Sequence, residues 1–277
     1  MMNHIRTTLL SFSLLFTMSL SAQMAPDTTN DASCIGIENN AFQGGEKLVY
    51  KLYYNWKFVW IPAGEVTFDV VENEDNFEVF VKGKTYPSYN SFFEVDDRFY
   101  SKMDKETLLP QEFLRDIVEG SYLKYDSISF DQSTQKAKTF LGKTEETAET
   151  KDWNLGECMQ DMVSILYHVR NFDFDTKKKG HKFPVKIFFD EEIFDLDVEY
   201  KGVKKKKKIK DLGKFDTYEF SPEVVAGEVF DEDTRMKIWV SKDGNKIPLQ
   251  IESPVSIGSV KAVLKSYEGL KYPLEKR

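Results

Sequence analysis

The sequence predicts an all-β fold, mainly one large antiparallel sheet curled over or into a half-barrel, with one central amphipathic helix. Three observations carry that prediction. Apolar residues alternate with period two along most of the chain after residue 40. One central segment alone changes to helical spacing, and turn-forming residues separate the alternating runs. The composition agrees: 22 Phe and 13 Tyr against 15 Gly is rich in large flat side chains, which favour strands.

Residues 1–22 read as a secretory signal: Arg6 in a short start, an apolar run from Leu9 to Leu20, then Ser21 and Ala22 before Gln23. The run is interrupted by Ser11, Ser13, Thr17 and Ser19 and is too short for a stable span, which takes roughly 20 apolar residues. The mature chain is therefore expected to carry no transmembrane span and to be exported to the periplasm or outer envelope. Residues 23–40 form a polar tail, and 41–272 form a single β-rich domain. The alternative is a split near residue 150, where Thr144 to Thr150 is polar.

Along the domain, Leu48, Tyr50, Leu52, Tyr54, Trp56, Phe58 and Trp60 share one face of a long first strand, and Pro62-Ala63-Gly64 turns the chain. Val66, Phe68 and Val70, then Phe77, Val79 and Val81, continue an antiparallel meander. The pattern recurs at 92–100, 111–118, 122–130, 185–189, 193–200, 215–220, 236–240, 246–251 and 257–265, giving about a dozen strands. Between Gly156 and Phe172 the apolar positions Met159, Met162, Val163, Leu166 and Tyr167, with the Arg170 stem, predict the helix. Lys242-Asp243-Gly244-Asn245 lies between two alternating runs and predicts a hairpin. Lys204 to Lys208 reads as an exposed edge or hairpin tip, where like charge discourages aggregation.

Composition excludes several functions. With 3 His and 2 Cys the chain cannot build dense zinc sites, haem attachment or a disulfide-scaffold fold. The net charge of −8 becomes one unit more negative when Arg6 leaves with the signal, the wrong sign for nucleic acid. No phosphate-binding loop and no Gly-x-Ser-x-Gly elbow occur. Cys34 stands too far beyond the apolar run for a lipid-anchored start, and in an oxidising compartment Cys34 and Cys158 are expected to form a disulfide. The competing use of Cys158, a thiol pair with His168, needs a free thiolate at a helix start. Asp96 and Asp97, Asp190 to Glu192 and Asp231 to Asp233 are adjacent carboxylates, read as solvated turns rather than a glycosidase pair. The 230–234 run lacks the spacing of a calcium loop. No catalytic residue, metal site or cofactor is therefore expected.

The candidate ligand-binding residues are aromatic. A first strand with so long an apolar face is longer than usual, so it either bends near Asn55 as an ordinary core-filling strand of a curled sheet or extends past the core, which would leave Tyr54, Trp56, Phe58, Trp60 and Ile61 at a pocket mouth or ledge. Tyr86, Phe92 and Phe93 add a second cluster, followed by the charged trio Asp96, Asp97 and Arg98.

Several short stretches then carry a resemblance. These are Phe42-Gln43-Gly44-Gly45-Glu46-Lys47-Leu48-Val49-Tyr50, Ala63-Gly64-Glu65, the stretch from Asp97-Arg98-Phe99-Tyr100-Ser101 to Pro110, the helix with Asp161, Tyr167 and Arg170, and Ile247-Pro248-Leu249. In their order and spacing they resemble the exported bacterial family of domain of unknown function 3108, from about residue 40 to 272. The Ser-Ala-Gln signal end and the two cysteines resemble a Bacteroidetes-like branch. The resemblance implies an all-β envelope protein with a sheet curled around a helix, in the manner of lipoprotein carriers, and no established reaction. The expected function is a non-enzymatic binding protein for an apolar or lipid-like ligand. The alternatives are a scaffolding envelope protein, which sets the aromatic ledge and the Lys204–Lys208 strip against a protein partner or anionic surface, and third an envelope hydrolase.

Overall fold

Alternation along the chain is realised as fourteen strands in one sheet, in a computed structural model that describes residues 37–56, 59–89, 94–222, 236–254 and 258–277. The first arm comprises β1 (Lys47–Trp56), β2 (Val59–Glu72), β3 (Asn76–Thr85), β4 (Asp96–Asp104), β5 (Pro110–Glu119), β6 (Tyr122–Asp131), β7 (Lys136–Gly142) and β8 (Glu149–Asn154). The helix α1 (Ser164–His168) follows. The second arm comprises β9 (Lys182–Phe189), β10 (Glu192–Ile209), β11 (Gly213–Pro222), β12 (Lys237–Ser241), β13 (Pro248–Pro254) and β14 (Ser259–Glu268).

Every neighbouring pair is antiparallel, and the order is β8-β7-β6-β5-β4-β3-β2-β1-β14-β13-β12-β11-β10-β9. Two meanders thus join at a central seam, where β1 pairs β14 from Lys47 opposite Glu268 to Asn55 opposite Ser259. The two edge strands, β8 and β9, are consecutive in sequence, and the sheet curls without closing. Between them the chain passes across the concave side. Gln160 forms a parallel bridge to β9, donating its N–H to the Lys186 carbonyl at 3.0 Å and accepting from the Phe188 N–H at 2.9 Å. Phe188 in turn packs on Phe130 and Trp153 of the first arm.

The core lines the concave face. Val79, Met103, Phe113, Ile128 and Phe188 are all within 1% of full burial and enclose Met159, Val163 and Tyr167. A second cluster, with Leu48, Phe215, Ile247, Leu249 and Leu264, lies along the seam and the second arm.

Four local features depart from the sequence reading. β1 ends at Trp56, and Pro62-Ala63-Gly64 lies inside β2 rather than turning the chain. A register shift between Leu52 and Tyr53 lets both neighbouring residues leave strict alternation, so Tyr53 is buried at 4% and the apolar face does not run unbroken to Trp60. The helix contracts from 156–172 to α1 and a 3-10 turn at Val169–Asn171. Cys158 adopts φ +61°, and the Asp161 side chain accepts from the N–H groups of Val163 at 2.6 Å and Ser164 at 2.7 Å, which fixes the helix start there. β7 and β8 flank the polar stretch from Thr144 to Thr150. Their inward residues include Ala137 and Thr139, too small and too polar to mark the alternation.

The lysine run lies in the distal half of β10. β9 pairs β10 only as far as Glu199, so Lys204, Lys205, Lys206 and Lys208 are exposed beside the tip of the β10–β11 hairpin, as an edge. The Asp-Gly hairpin forms between β12 and β13. Asp243 Oδ1 accepts from Ser241 Oγ and from the N–H groups of Asn245 and Lys246.

Candidate functional site

An apolar cleft of about 150 Å³ lies between α1 and the seam of the sheet. Its floor follows from strand pairing. Leu48, Tyr50 and Leu52 share one face of β1, opposite Phe68, Val66 and Gly64 of β2. On the other flank Leu52 faces Ala262 of β14, and Ala262 faces Ile251 of β13. Gly64 admits no side chain, because a Cβ there would sit 2.2 Å from the Lys84 carbonyl oxygen of β3. Leu166 and Tyr167 of α1 and Arg170 of the 3-10 turn form the roof.

Arg170 ties that roof to the floor. It is 3% exposed, and its Nη1 and Nη2 donate to the two Glu46 carboxylate oxygens at 2.6 and 2.7 Å, a bidentate pair. Its Nε donates to the Asn245 carbonyl at 2.9 Å and its Nη2 to the Ala41 carbonyl at 3.1 Å. The guanidinium also stands 5.4 Å from the Phe42 ring centroid and 5.2 Å from that of Tyr167. Burial pulls the guanidinium pKa down, yet Glu46 outweighs burial and holds it above its ordinary value. Three segments remote in sequence are thus locked around one charge that Glu46 cancels.

Two phenols reach this region. Tyr50 donates to the Pro248 carbonyl at 2.9 Å. Tyr167 is 2% exposed, packs edge-on against Phe42 at 4.9 Å, and its hydroxyl has no hydrogen-bond partner. Burial pushes both hydroxyls above the usual phenol range, so both stay protonated.

Four of the sequence candidates, Tyr54, Trp60, Ile61 and Tyr86, lie elsewhere. Tyr54 pairs with Ile61, and Asn55 with Trp60, at the hairpin end of β1 and β2. Trp60 lies under the Lys261 ammonium at 3.9 Å, and the Tyr86 hydroxyl donates to Glu65 at 2.8 Å. These four do not line the cleft. Trp56 ends β1, while Phe58, Phe92 and Phe93 lie outside the described residues. What the aromatic pattern missed is the smaller-residue half of the same strand. Leu48, Tyr50 and Leu52 share its apolar face, and Leu166, Tyr167 and Arg170 share the helix face, but no sequence spacing joins the two sets.

His168 is 7% exposed, its ring 5.4 Å from that of Phe172, and burial pulls its pKa down to about 4. Cys158 is not free, and its expected partner Cys34 lies outside the described residues. Asp96 and Asp97 open β4 rather than forming a turn. Asp96 pairs with Lys84 at 2.8 Å, and Asp97 accepts from the Val118 N–H at 3.1 Å. Asp190 and Glu191 form the β9–β10 turn and dock on the first arm. Asp190 pairs with Arg115 and Lys124, and Glu191 accepts from Thr139 at 2.9 Å and Lys151 at 3.2 Å. The 230–234 run lies outside the described residues, among which no three His, Cys, Asp or Glu side chains are placed to hold a metal.

The fold and cleft together define an open, curled antiparallel-sheet protein with a helix-roofed apolar site. The chain belongs to the family described as protein of unknown function DUF3108, whose model matches residues 49–265. No curated protein matches the sequence. Among solved structures it is similar to a β-barrel-like protein of domain of unknown function DUF1849 from Brucella abortus, at 11% identity and a TM-score of 0.56, covering 82% of this chain and 99% of that one. This likeness concerns the fold alone. A DUF1089 family protein from Pseudomonas aeruginosa aligns at 10% identity over 81% of this chain and 98% of its own, with a TM-score of 0.35. Among the described residues no helix is long and apolar enough to cross a membrane.

Proposed function

We propose that the protein is an exported, non-enzymatic binding protein that holds the apolar end of a lipid-like ligand between α1 and the seam. The cleft carries this reading. Its lining is apolar apart from two neutral phenols and an already paired guanidinium, and nothing in it is placed for acid–base or nucleophilic work. At about 150 Å³ the apolar cleft has room for a ligand the size of benzene, about six carbons. A longer chain would leave through the cleft mouth. Export rests on the signal-like residues 1–22.

Displacement of a fluorescent fatty-acid probe by hexane tests the site. The wild-type protein is expected to show saturable, competitive binding. Ala262→Leu fills the cleft from its floor and is expected to weaken binding at least about tenfold, while the urea midpoint stays close to wild type. Equal binding by the two proteins, or no saturable binding by either, contradicts the proposal.

A further inference from the structure

We infer that the tip of the β10–β11 hairpin carries a basic face that docks the molecule on a bilayer of anionic phospholipid headgroups. This surface role is separate from the cleft and does not depend on its being occupied.

The face is assembled from three segments remote in sequence. Lys204, Lys205, Lys206 and Lys208 of β10 are exposed, and Lys208 pairs with the exposed Lys214 of β11. A Cβ on Gly202 would meet the Lys179 side chain at 3.8 Å, which places the exposed Lys178 and Lys179 beside the same strand. A Cβ on Gly213 would meet the Lys276 side chain at 3.9 Å, and Arg277 donates its N–H to the Lys214 carbonyl at 2.7 Å. Residues 177–179, 199–216 and 275–277 hold thirteen Lys and Arg against four Asp and Glu, a basic island in a chain of net charge −8. Two of those carboxylates are already engaged, Glu199 by Lys201 at 2.6 Å and Asp216 by Arg277 at 2.9 Å. The four exposed lysines of β10, with Lys178, Lys179, Lys214 and Lys276, form no ion pair among the described residues.

The backbone turns these ammonium groups outward together. In a regular strand successive side chains point to opposite faces. Here Val203, Lys204, Lys205 and Lys206 are all exposed, because register shifts between Tyr200 and Gly202 and between Lys204 and Lys207 break the alternation. Lys206 adopts φ +52°, and its N–H donates to Asp216 Oδ1 at 2.9 Å, which holds that conformation. Lys207 and Lys210 lie over the rings of Trp239 and Tyr53, at 3.5 and 4.8 Å, and fasten the tip to the sheet. Protection of a sheet edge accounts for lysines on β10 alone. Lys178, Lys179, Lys214 and Lys276 lie off that strand and widen the edge into a face.

The chemistry of the face favours a bilayer over a protein. Protein interfaces are depleted in Lys and enriched in aromatic and Arg anchors. Both aromatics of 199–216, Tyr200 and Phe215, are buried, at 4% and 0% exposure. Lysine is a compact point charge without the fork that reads a fixed carboxylate. A dense array of such charges suits a fluid sheet of phosphate headgroups, where each cation contributes without a set geometry.

Co-sedimentation with vesicles tests the face, using phosphatidylcholine alone and phosphatidylcholine mixed equally with phosphatidylglycerol. Comparing the two vesicles for each protein cancels any apolar contribution from residues 9–20. Wild type is expected to favour the anionic vesicles, and raised salt to erase the preference. Replacing Lys204, Lys205 and Lys208 by Gln is expected to weaken anionic-vesicle binding at least about tenfold, and so is replacing Lys178, Lys179 and Lys214. Lys136, Lys138 and Lys143 are exposed elsewhere, and their replacement by Gln, which removes the same charge, is expected to leave binding within about twofold of wild type. Ala262→Leu in the cleft is expected to bind these vesicles as wild type does. No preference for anionic vesicles, an equal loss in the Lys136, Lys138 and Lys143 variant, or retention on polyglutamate without vesicle binding would overturn the inference and leave the cleft reading untouched.

Discussion

At the scale of single residues, the molecule keeps ionisable groups buried where they organise the helix, and their titration is a direct probe of that packing. His168 has a folded-state pKa of about 4 against an ordinary 6.5, with burial as the cause. The unfolded chain therefore takes up the proton first. The stability associated with neutral His168 is complete above about 6.5 and is lost as pH falls through about 4, by roughly 3 kcal/mol at most. Asp161 works in the opposite sense. Burial raises its carboxyl to about 6, so its protonation contributes stability as pH falls from about 6 toward 3.8. The two effects overlap in the raw curve, and a difference measurement separates them. Urea midpoints of wild type and His168→Phe are expected to diverge in favour of the variant only as pH falls below about 6.5. Parallel curves would place His168 in contact with solvent. Much of this chemistry was hidden in the sequence for a simple reason. Glu46 and Arg170 lie 124 positions apart, and nothing local to either says that one carboxylate and one guanidinium will be buried as a pair.

At the scale of elements, apolar alternation made most strands legible, because inward positions such as Phe77, Val79 and Val81 are large and β-favouring. It failed where register is set by something other than hydrophobicity. The shift at Leu52 and Tyr53 is a backbone event, and the Asp161 cap is a side chain arresting a helix that periodicity alone would start earlier. The β9–β10 turn is a third case. Asp190 and Glu191 both adopt positive φ, at +52° and +60°, in a turn that lacks the usual Asn-Gly signature. What that tip gains is an ionic seat on the first arm, through Arg115, Lys124, Thr139 and Lys151. Asp190→Asn with Glu191→Gln keeps a turn-compatible residue and removes the ion pairs. Amide hydrogen exchange is expected to quicken in β9 and at its bridge to Gln160, with the β1–β14 ladder unchanged. Acceleration spread evenly over the sheet, or none at all, would mean that the tip does not hold the curl.

At the scale of the whole molecule, the fold brings the two ends of the described chain together at its centre. β1 and β14 are the first and last strands, and they are neighbours in the sheet. The class of fold was readable from period and composition, but the strand order was not, because antiparallel alternation is indifferent to which strand lies beside which. The cleft depends on that order. Its floor draws on β1, β2, β13 and β14, and its roof comes from the crossing segment that links the arms. The measurement that addresses the central claim most directly is the set of intermolecular nuclear Overhauser effects between unlabelled hexane and the isotope-labelled protein. Contacts are predicted to the methyl groups of Leu48, Val66, Leu166 and Ala262, side chains that only this topology places around one space. Contacts confined to the aromatic hairpin around Tyr54 and Trp60, or no contacts, would contradict it.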